Sequence, residues 1–174
     1  WGAASAGNVV IIGTDPTYHS SFGPGGPEGG DEVAENGIAF AVADATKTGA
    51  YITLSCYYHG TAPATPITFL DEAYGVAGDF TAAGVGCFNN SHIVATHPAL
   101  SGLTDANLSD WGCSVHEAFD NWPVSFQVLA IARDVGPLPL PTFPDGSAGT
   151  PYIIARGEGL RAIETLEVDP INAD

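Results

Sequence analysis

The side chains best suited to chemistry are concentrated in one stretch of the chain. Residues 84–123 hold two of the three cysteines, three of the five histidines and two of the three tryptophans. Cys is usually reactive or buried, His titrates near neutral pH, and Trp needs a large pocket with a partner for its N–H. We therefore expect this stretch to form one side of a cleft.

Cysteine-based hydrolysis is the first chemistry that the residues could support. Cys56 follows the apolar run AYITLS, His59 comes three residues later, and His116 with Glu117 could supply a base and its orienting group. A helix should start at once after such a nucleophile and lower the pKa of its thiol, but the helix signal begins only at Thr65. Neighbouring residues on a strand also point to opposite faces, which separates the base from its orienting group. The alternative is that Cys56 is a buried core thiol.

A ligand cleft is the second kind of site. Asp15 and His19 follow the apolar run NVVIIG, and the ligands of open α/β sheets bind where such strands end. His92 is a third candidate for the cleft. The simpler alternative is that Asp15 only caps a turn.

A metal site is a further alternative. Imidazoles and carboxylates suit Zn²⁺ or another divalent ion. The spacing of these residues matches no known ligand motif, and neither CxxC nor DxDxDG occurs in the chain. We therefore assign no metal ligands and expect no cofactor. A bound divalent cation is the alternative. The residues that could hold such an ion are Asp15, His92, His97, His116 and Glu117.

The charge of the chain limits its partners. Four Lys and Arg residues stand against 20 Asp and Glu residues, giving a net charge of −16. Such a chain repels nucleic acid and anionic membrane surfaces, and no apolar run approaches the ~18 residues that a membrane span needs. We expect other protein domains or copies of the chain itself as partners, in an extracellular or cell-surface location.

The cysteines and the two ends of the chain fit that location. One disulfide with one free thiol is typical of an exported protein, whereas three free thiols would fit a cytosolic one. We favour a Cys87–Cys113 disulfide, which closes a loop of modest length. Residues 1–7 are interpreted as a linker or a processed N-terminus, residues 8–156 as the domain, and residues 157–174 as a tail or a lead into another domain.

Apolar runs between helix signals predict an α/β fold. The runs indicate strands of one mostly parallel sheet, with helices on both of its faces. Strands are predicted at 9–12, 52–54, 93–95, 128–131 and 152–154, and helices at 31–44, 65–74 and 104–111.

Several segments resemble a known superfamily. NVVIIGTD, YITLSC, HIVATHPALSGLTDANLSDWGCSVHEAF, FQVLAIARD and PYIIARG are similar to the class I glutamine amidotransferase-like superfamily, with the trehalose-utilisation-like branch of secreted bacterial proteins nearest. The resemblance covers residues 8–156 and implies a flavodoxin-like three-layer sandwich. It places Cys56 at the nucleophile position, served by a His and an acidic residue. Ser55 and Tyr57 stand where the enzymes carry glycines, and the family's His-x-Glu is absent.

These observations predict a non-catalytic binding or structural module of an exported acidic protein, with self-association as one role. The alternative is a Cys- or metal-dependent hydrolase of a small amide or sugar-derived substrate. We expect Asp15, Cys56, His59 and His116 to gather at the carboxyl edge of the sheet without forming a working triad.

Overall fold

The computed structural model describes residues 1–157, which fold around two β-sheets. The strands are β1 (Val9–Ile12), β2 (Ala50–Thr53), β3 (Thr65–Pro66), β4 (Thr81–Phe88), β5 (Ser91–Ile93), β6 (Val115–Asn121), β7 (Gln127–Arg133) and β8 (Gly149–Arg156). The α-helices are α1 (Gly30–Ala41), α2 (Thr68–Tyr74) and α3 (Asp105–Leu108), with a 3-10 turn at Pro98–Leu100. None of the helices in these residues is long and apolar enough to cross a membrane.

The main sheet has five strands in the order β2-β1-β8-β7-β5. Within residues 1–157, β1 and β2 form the only parallel pair, and every other pair is antiparallel. The prediction of a mostly parallel, flavodoxin-like three-layer sandwich is therefore wrong. An apolar run shows that a strand is buried on both faces, but it does not give the strand's direction. A loop, rather than a crossover helix, joins β7 to β8, and that connection produces an antiparallel pair.

The second sheet is antiparallel, in the order β3-β4-β6, and it helps to cover the main sheet. Val10 and Ile12 of β1 belong to an apolar cluster that includes Phe40 of α1. Val9 and Ile11, which alternate with them, belong to a second cluster with residues of α2 and β6. Burial on both faces explains why β1 is a continuous apolar run.

The helices follow their sequence signals closely, with one exception. Thr104 caps α3 through a reciprocal capping box with Asn107. The helix predicted from residue 65 begins only at Thr68, because Thr65 and Pro66 pair with β4 as an edge strand. A proline is tolerated there because an edge strand does not need every N–H.

The predicted disulfide is confirmed. Cys87 and Cys113 are bonded and tie β4 to the turn that precedes β6. Cys56 is free and exposed, so its interpretation as a buried core thiol is wrong. The tail or lead into another domain predicted for residues 157–174 lies, apart from Gly157, outside the described residues.

Candidate metal centre

The end of β1 fixes the position of the candidate site. Gly13 follows β1, and its carbonyl oxygen accepts backbone hydrogen bonds from His116 (3.2 Å) and Glu117 (3.3 Å) at the start of β6. The backbones pass so closely that a Cβ added to Gly13 would lie 2.2 Å from the Glu117 carbonyl oxygen. This contact brings the turn after β1, which carries Asp15, next to His116.

The Gly/Pro-rich segment, residues 20–30, folds back over that turn and holds His19. The carbonyl of His19 accepts hydrogen bonds from the backbone N–H groups of Glu28 and Gly30. The His19 ring also packs against Trp111, with 5.3 Å between ring centroids. His19 is only 3% exposed, so its ring has one fixed position in the interior.

Asp15, His19 and His116 together have the geometry of a metal site. Their ligand atoms all lie within 4.8 Å of one another, and Asp15 Oδ1 is 3.4 Å from Nε2 of each histidine. Ligands about 2.0–2.1 Å from a tetrahedral Zn²⁺ are separated by about 3.3–3.4 Å, so the two separations from Asp15 Oδ1 match edges of a coordination tetrahedron. Neither Asp15 Oδ1 nor His19 Nε2 has a hydrogen-bond partner, although both atoms are buried.

Glu28 orients one of the two imidazoles. Its Oε2 lies 2.6 Å from Nδ1 of His19. A carboxylate accepts a hydrogen bond there only if Nδ1 carries the proton, which leaves a lone pair on Nε2, facing Asp15. Metal-binding histidines usually have such a carboxylate partner on the second ring nitrogen.

His116, the second imidazole, bonds to a backbone carbonyl rather than to a carboxylate. Nε2 of His116 lies 3.1 Å from the Cys113 carbonyl and donates a hydrogen bond to it. Nδ1 is buried without a hydrogen bond of normal geometry, although the Ser55 carbonyl lies near the ring. A metal can bind Nε2 of His116 only when the ring carries its proton on Nδ1. The hydrogen bond from Nε2 to the Cys113 carbonyl must therefore break when a metal binds.

Burial controls the charges around the cluster. Burial lowers the pKa of His116 and outweighs the opposing effect of the nearby Asp15 charge, which favours the neutral imidazole that a metal requires. Burial and the nearby charge of Asp15 raise the pKa of Glu117 to about 8. Glu117 is fully buried, and neither of its carboxyl oxygens has a hydrogen-bond partner. Such unpaired polar atoms are costly, and a cation would offset the cost.

A cleft of about 430 Å³ opens beside the cluster. Asp15 forms part of its wall, together with the start of the Gly/Pro-rich segment and the end of β2. Its other lining residues are Thr17, Tyr18, Ser20, Phe22, Gly23, Pro24, Thr53 and Ser55. Of the three residues predicted for a ligand cleft, Asp15 lines this one, whereas His19 and His92 are not among its lining residues.

The cysteine and its neighbouring histidine form no triad. Nδ1 of His59 lies 2.9 Å from the backbone carbonyl of Cys56, rather than bonding to the thiol. No hydrogen bond within residues 1–157 joins the Cys56 sulfur to a histidine. Nε2 of His116 instead lies next to Asp15 Oδ1 and donates a hydrogen bond to the Cys113 carbonyl.

His92 and His97 lie in other surroundings. Nδ1 of His92 is 2.6 Å from Asp105 Oδ2, and Nε2 is 2.7 Å from Asp145 Oδ2. His97 caps the 3-10 turn by accepting a hydrogen bond from the N–H of Ala99. Of the five residues considered for a metal, the structure therefore brings Asp15 and His116 together, and it adds His19.

No sequence pattern indicated the acidic partners of the histidines. Glu28 lies in a Gly/Pro-rich loop, and no sequence pattern links it to His19. Asp105 and Asp145 are likewise distant in sequence from His92. The i, i+4 spacing of Asp15 and His19 was the one available signal for the cluster.

No protein-family model matches the chain, and neither a curated protein nor a solved structure is significantly similar to it.

Proposed function

We propose that this domain is a binding module of an exported acidic protein and that its ligand is a divalent transition-metal ion. One observation carries the proposal: Asp15 Oδ1 stands 3.4 Å from Nε2 of both His19 and His116 inside the protein. Asp15 Oδ1 and His19 Nε2 are buried without a hydrogen-bond partner, which is costly unless something binds them. A cation between the three ligand atoms removes the cost at those two atoms.

The donor atoms select the kind of metal. Two imidazoles and one carboxylate suit Zn²⁺, Fe²⁺, Co²⁺ or Ni²⁺, whereas Mg²⁺ and Ca²⁺ prefer oxygen-only sites. Zn²⁺ is the simplest occupant, because the ligand separations fit a tetrahedron. The net charge of −16 raises the local concentration of any cation and adds to the affinity.

The proposed export of the protein is supported by its disulfide and its charge. A Cys87–Cys113 bond forms and persists mainly in oxidising compartments. A strongly acidic surface keeps a protein soluble outside the cell.

The test is metal binding to protein first stripped with a chelator. We expect one Zn²⁺ per chain by elemental analysis after equilibration and desalting, and a rise in melting temperature on adding Zn²⁺. His19→Ala should abolish both effects, whereas His59→Ala, at an exposed histidine, should keep them. Equal zinc content in His19→Ala and wild-type protein would refute the proposal.

Metal-dependent hydrolysis is the second candidate function, and Glu117 favours it. Catalytic zinc sites have three protein ligands and one open position, as this cluster would. Glu117 is buried, lies close enough to Asp15 for the charge of Asp15 to raise its pKa, and has two unpaired oxygens available to hold a water molecule. On a panel of ester and amide substrates, Glu117→Gln should then abolish turnover with metal still bound, while Cys56→Ser should leave turnover unchanged. No turnover by the zinc-loaded wild type leaves the binding module as the function.

A further inference from the structure

We propose that the metal keeps one coordination position open toward the cleft beside Asp15, and that this position takes a small oxygen-donor ligand carrying at most one negative charge. The inference rests on the proposed metal function. It adds a second ligand, its chemical class and its place in the molecule.

Asp15 connects the metal cluster to the cleft. Its Oδ1 faces both histidines, while the residue also lines the wall of the cleft. Ser55 makes a second connection, because it lines the same cleft and its carbonyl lies near the His116 ring. Two independent contacts therefore place the cleft against the cluster.

Burial shows on which side the open position lies. The side chains of His19 and His116 are 4% and 7% exposed, whereas that of Asp15 is 16% exposed. Three protein ligands leave one corner of a tetrahedron free, and a ligand from outside can reach the metal only from the most exposed side of the cluster. That side is the one at Asp15, which faces the cleft.

The lining of the cleft defines the class of ligand. Five of its residues carry hydroxyl groups, and those of Thr17, Tyr18, Thr53 and Ser55 have no hydrogen-bond partner among residues 1–157. No Lys or Arg lines the cleft, and Asp15 is its only charged residue. A dianion such as phosphate would meet no cation besides the metal and would be repelled by the net charge of −16. A carbonyl, a hydroxamate or a monocarboxylate carries at most one negative charge, so the net charge of the protein repels it less than it repels phosphate.

The size and the walls of the cleft fit a small molecule. Its volume of about 430 Å³ lies in the range of ~300–1,000 Å³ found for small-molecule sites. Phe22, which is 98% exposed, and Tyr18, which is 47% exposed, offer aromatic surface to the ligand's body.

Cobalt-substituted protein provides the test, because Co²⁺ absorbs visible light and its spectrum reports changes in coordination. We expect Co²⁺ to bind and acetohydroxamate to shift its visible spectrum with saturation, while inorganic phosphate binds at least tenfold more weakly. Thr17→Trp fills the cleft from an exposed position and should weaken acetohydroxamate at least tenfold with unchanged Co²⁺ affinity. Thr48→Trp, at an exposed site outside the cleft, is the matched control and should bind acetohydroxamate as the wild type does.

The outcomes separate the two proposals. If Co²⁺ does not bind, the metal function fails and this inference fails with it. If Co²⁺ binds but acetohydroxamate leaves the spectrum unchanged, the open position is refuted while the metal function stands. If Thr17→Trp binds acetohydroxamate as tightly as the wild type does, or phosphate binds more tightly, the cleft or the ligand class is refuted.

Discussion

Glu28 Oε2 lies 2.6 Å from Nδ1 of His19, so a loop carboxylate holds the imidazole with its other nitrogen facing Asp15. This pair lies inside the Gly/Pro-rich segment and its preceding turn, where no helix or strand fixes the side chains. The hydrogen bond is therefore the main constraint on the orientation of the ring. It also makes the ring a stronger metal ligand.

Glu28→Gln should weaken zinc binding by about 10–100-fold, the usual cost of removing a carboxylate partner from a metal-bound histidine. The amide can accept the same hydrogen bond but carries no charge, so the protein should stay folded. Calorimetric titration with Zn²⁺ measures the change. Glu35→Gln, at an exposed site on α1, is the matched control and should bind like the wild type. Equal losses in the two variants would mean that only total charge matters.

Gly13→Ala should damage the site through the backbone. The added Cβ would meet the Glu117 carbonyl oxygen at 2.2 Å and push β6 away from the end of β1. We expect a loss of about 1–3 kcal/mol in unfolding free energy, typical of overpacking, together with weaker zinc binding. Gly60→Ala, where nothing lies within 4 Å of the new Cβ, should change neither quantity. Denaturant unfolding of both variants, each with and without Zn²⁺, is the measurement.

Removal of the disulfide should lower the stability of the fold. The Cys87–Cys113 bond spans a sequence separation of 26. A loop of that length corresponds to about 3 kcal/mol of unfolding free energy. Cys113 also provides the carbonyl next to His116, so Cys113→Ser should loosen that ring. Cys56→Ser, at an exposed free thiol, should shift stability by less than about 0.5 kcal/mol. Urea unfolding that gives equal stabilities for these variants would contradict the prediction.

The stabilisation that His92 provides by bonding to both Asp105 and Asp145 should depend on pH. Both ring nitrogens face carboxylates, so the ring bonds to both only as an imidazolium. Hydrogen bonds donated by the ring to Asp105 first and Asp145 second raise the pKa of His92 above its ordinary value. The folded-state pKa is the higher one, so the stabilisation is complete below about pH 6.5, the unfolded pKa, and is lost as pH rises through the folded value.

Melting temperatures between pH 5 and pH 9 test this link. The difference between wild type and His92→Gln should be large at pH 5 and should shrink toward pH 9. His59→Gln, at an exposed histidine, should track the wild type throughout. If the difference in melting temperature between wild type and His92→Gln stays constant from pH 5 to pH 9, the charge of the ring does not contribute to stability and the prediction is wrong.

The positions of the five main-sheet strands could be predicted from the sequence, but their arrangement could not. The run of four residues in β1 is apolar because both of its faces are buried, and that signal is local. Strand direction depends on how distant segments connect. The pairing of β1 with β8 joins residues that are more than a hundred positions apart, and no periodicity encodes it.

The candidate site was predictable only in part, because some of its residues are close in the sequence and others meet only in the tertiary structure. Asp15 and His19 stand at the end of an apolar run, where functional residues are expected, and one loop carries both. His116 joins them through the backbone contact between Gly13 and β6, which belongs to the tertiary structure. The pairing of Cys87 with Cys113 was easier, because three cysteines allow few combinations and the location favoured one disulfide.

The most direct test of the account is a crystal structure of the protein grown with Zn²⁺, using anomalous diffraction at the zinc absorption edge. We expect one strong peak about 2.0–2.2 Å from Asp15 Oδ1 and from Nε2 of His19 and His116. The His116 bond to the Cys113 carbonyl should be lost, and the Glu28–His19 bond should remain. A zinc peak at other residues, or no peak at this cluster at saturating zinc, would contradict the account.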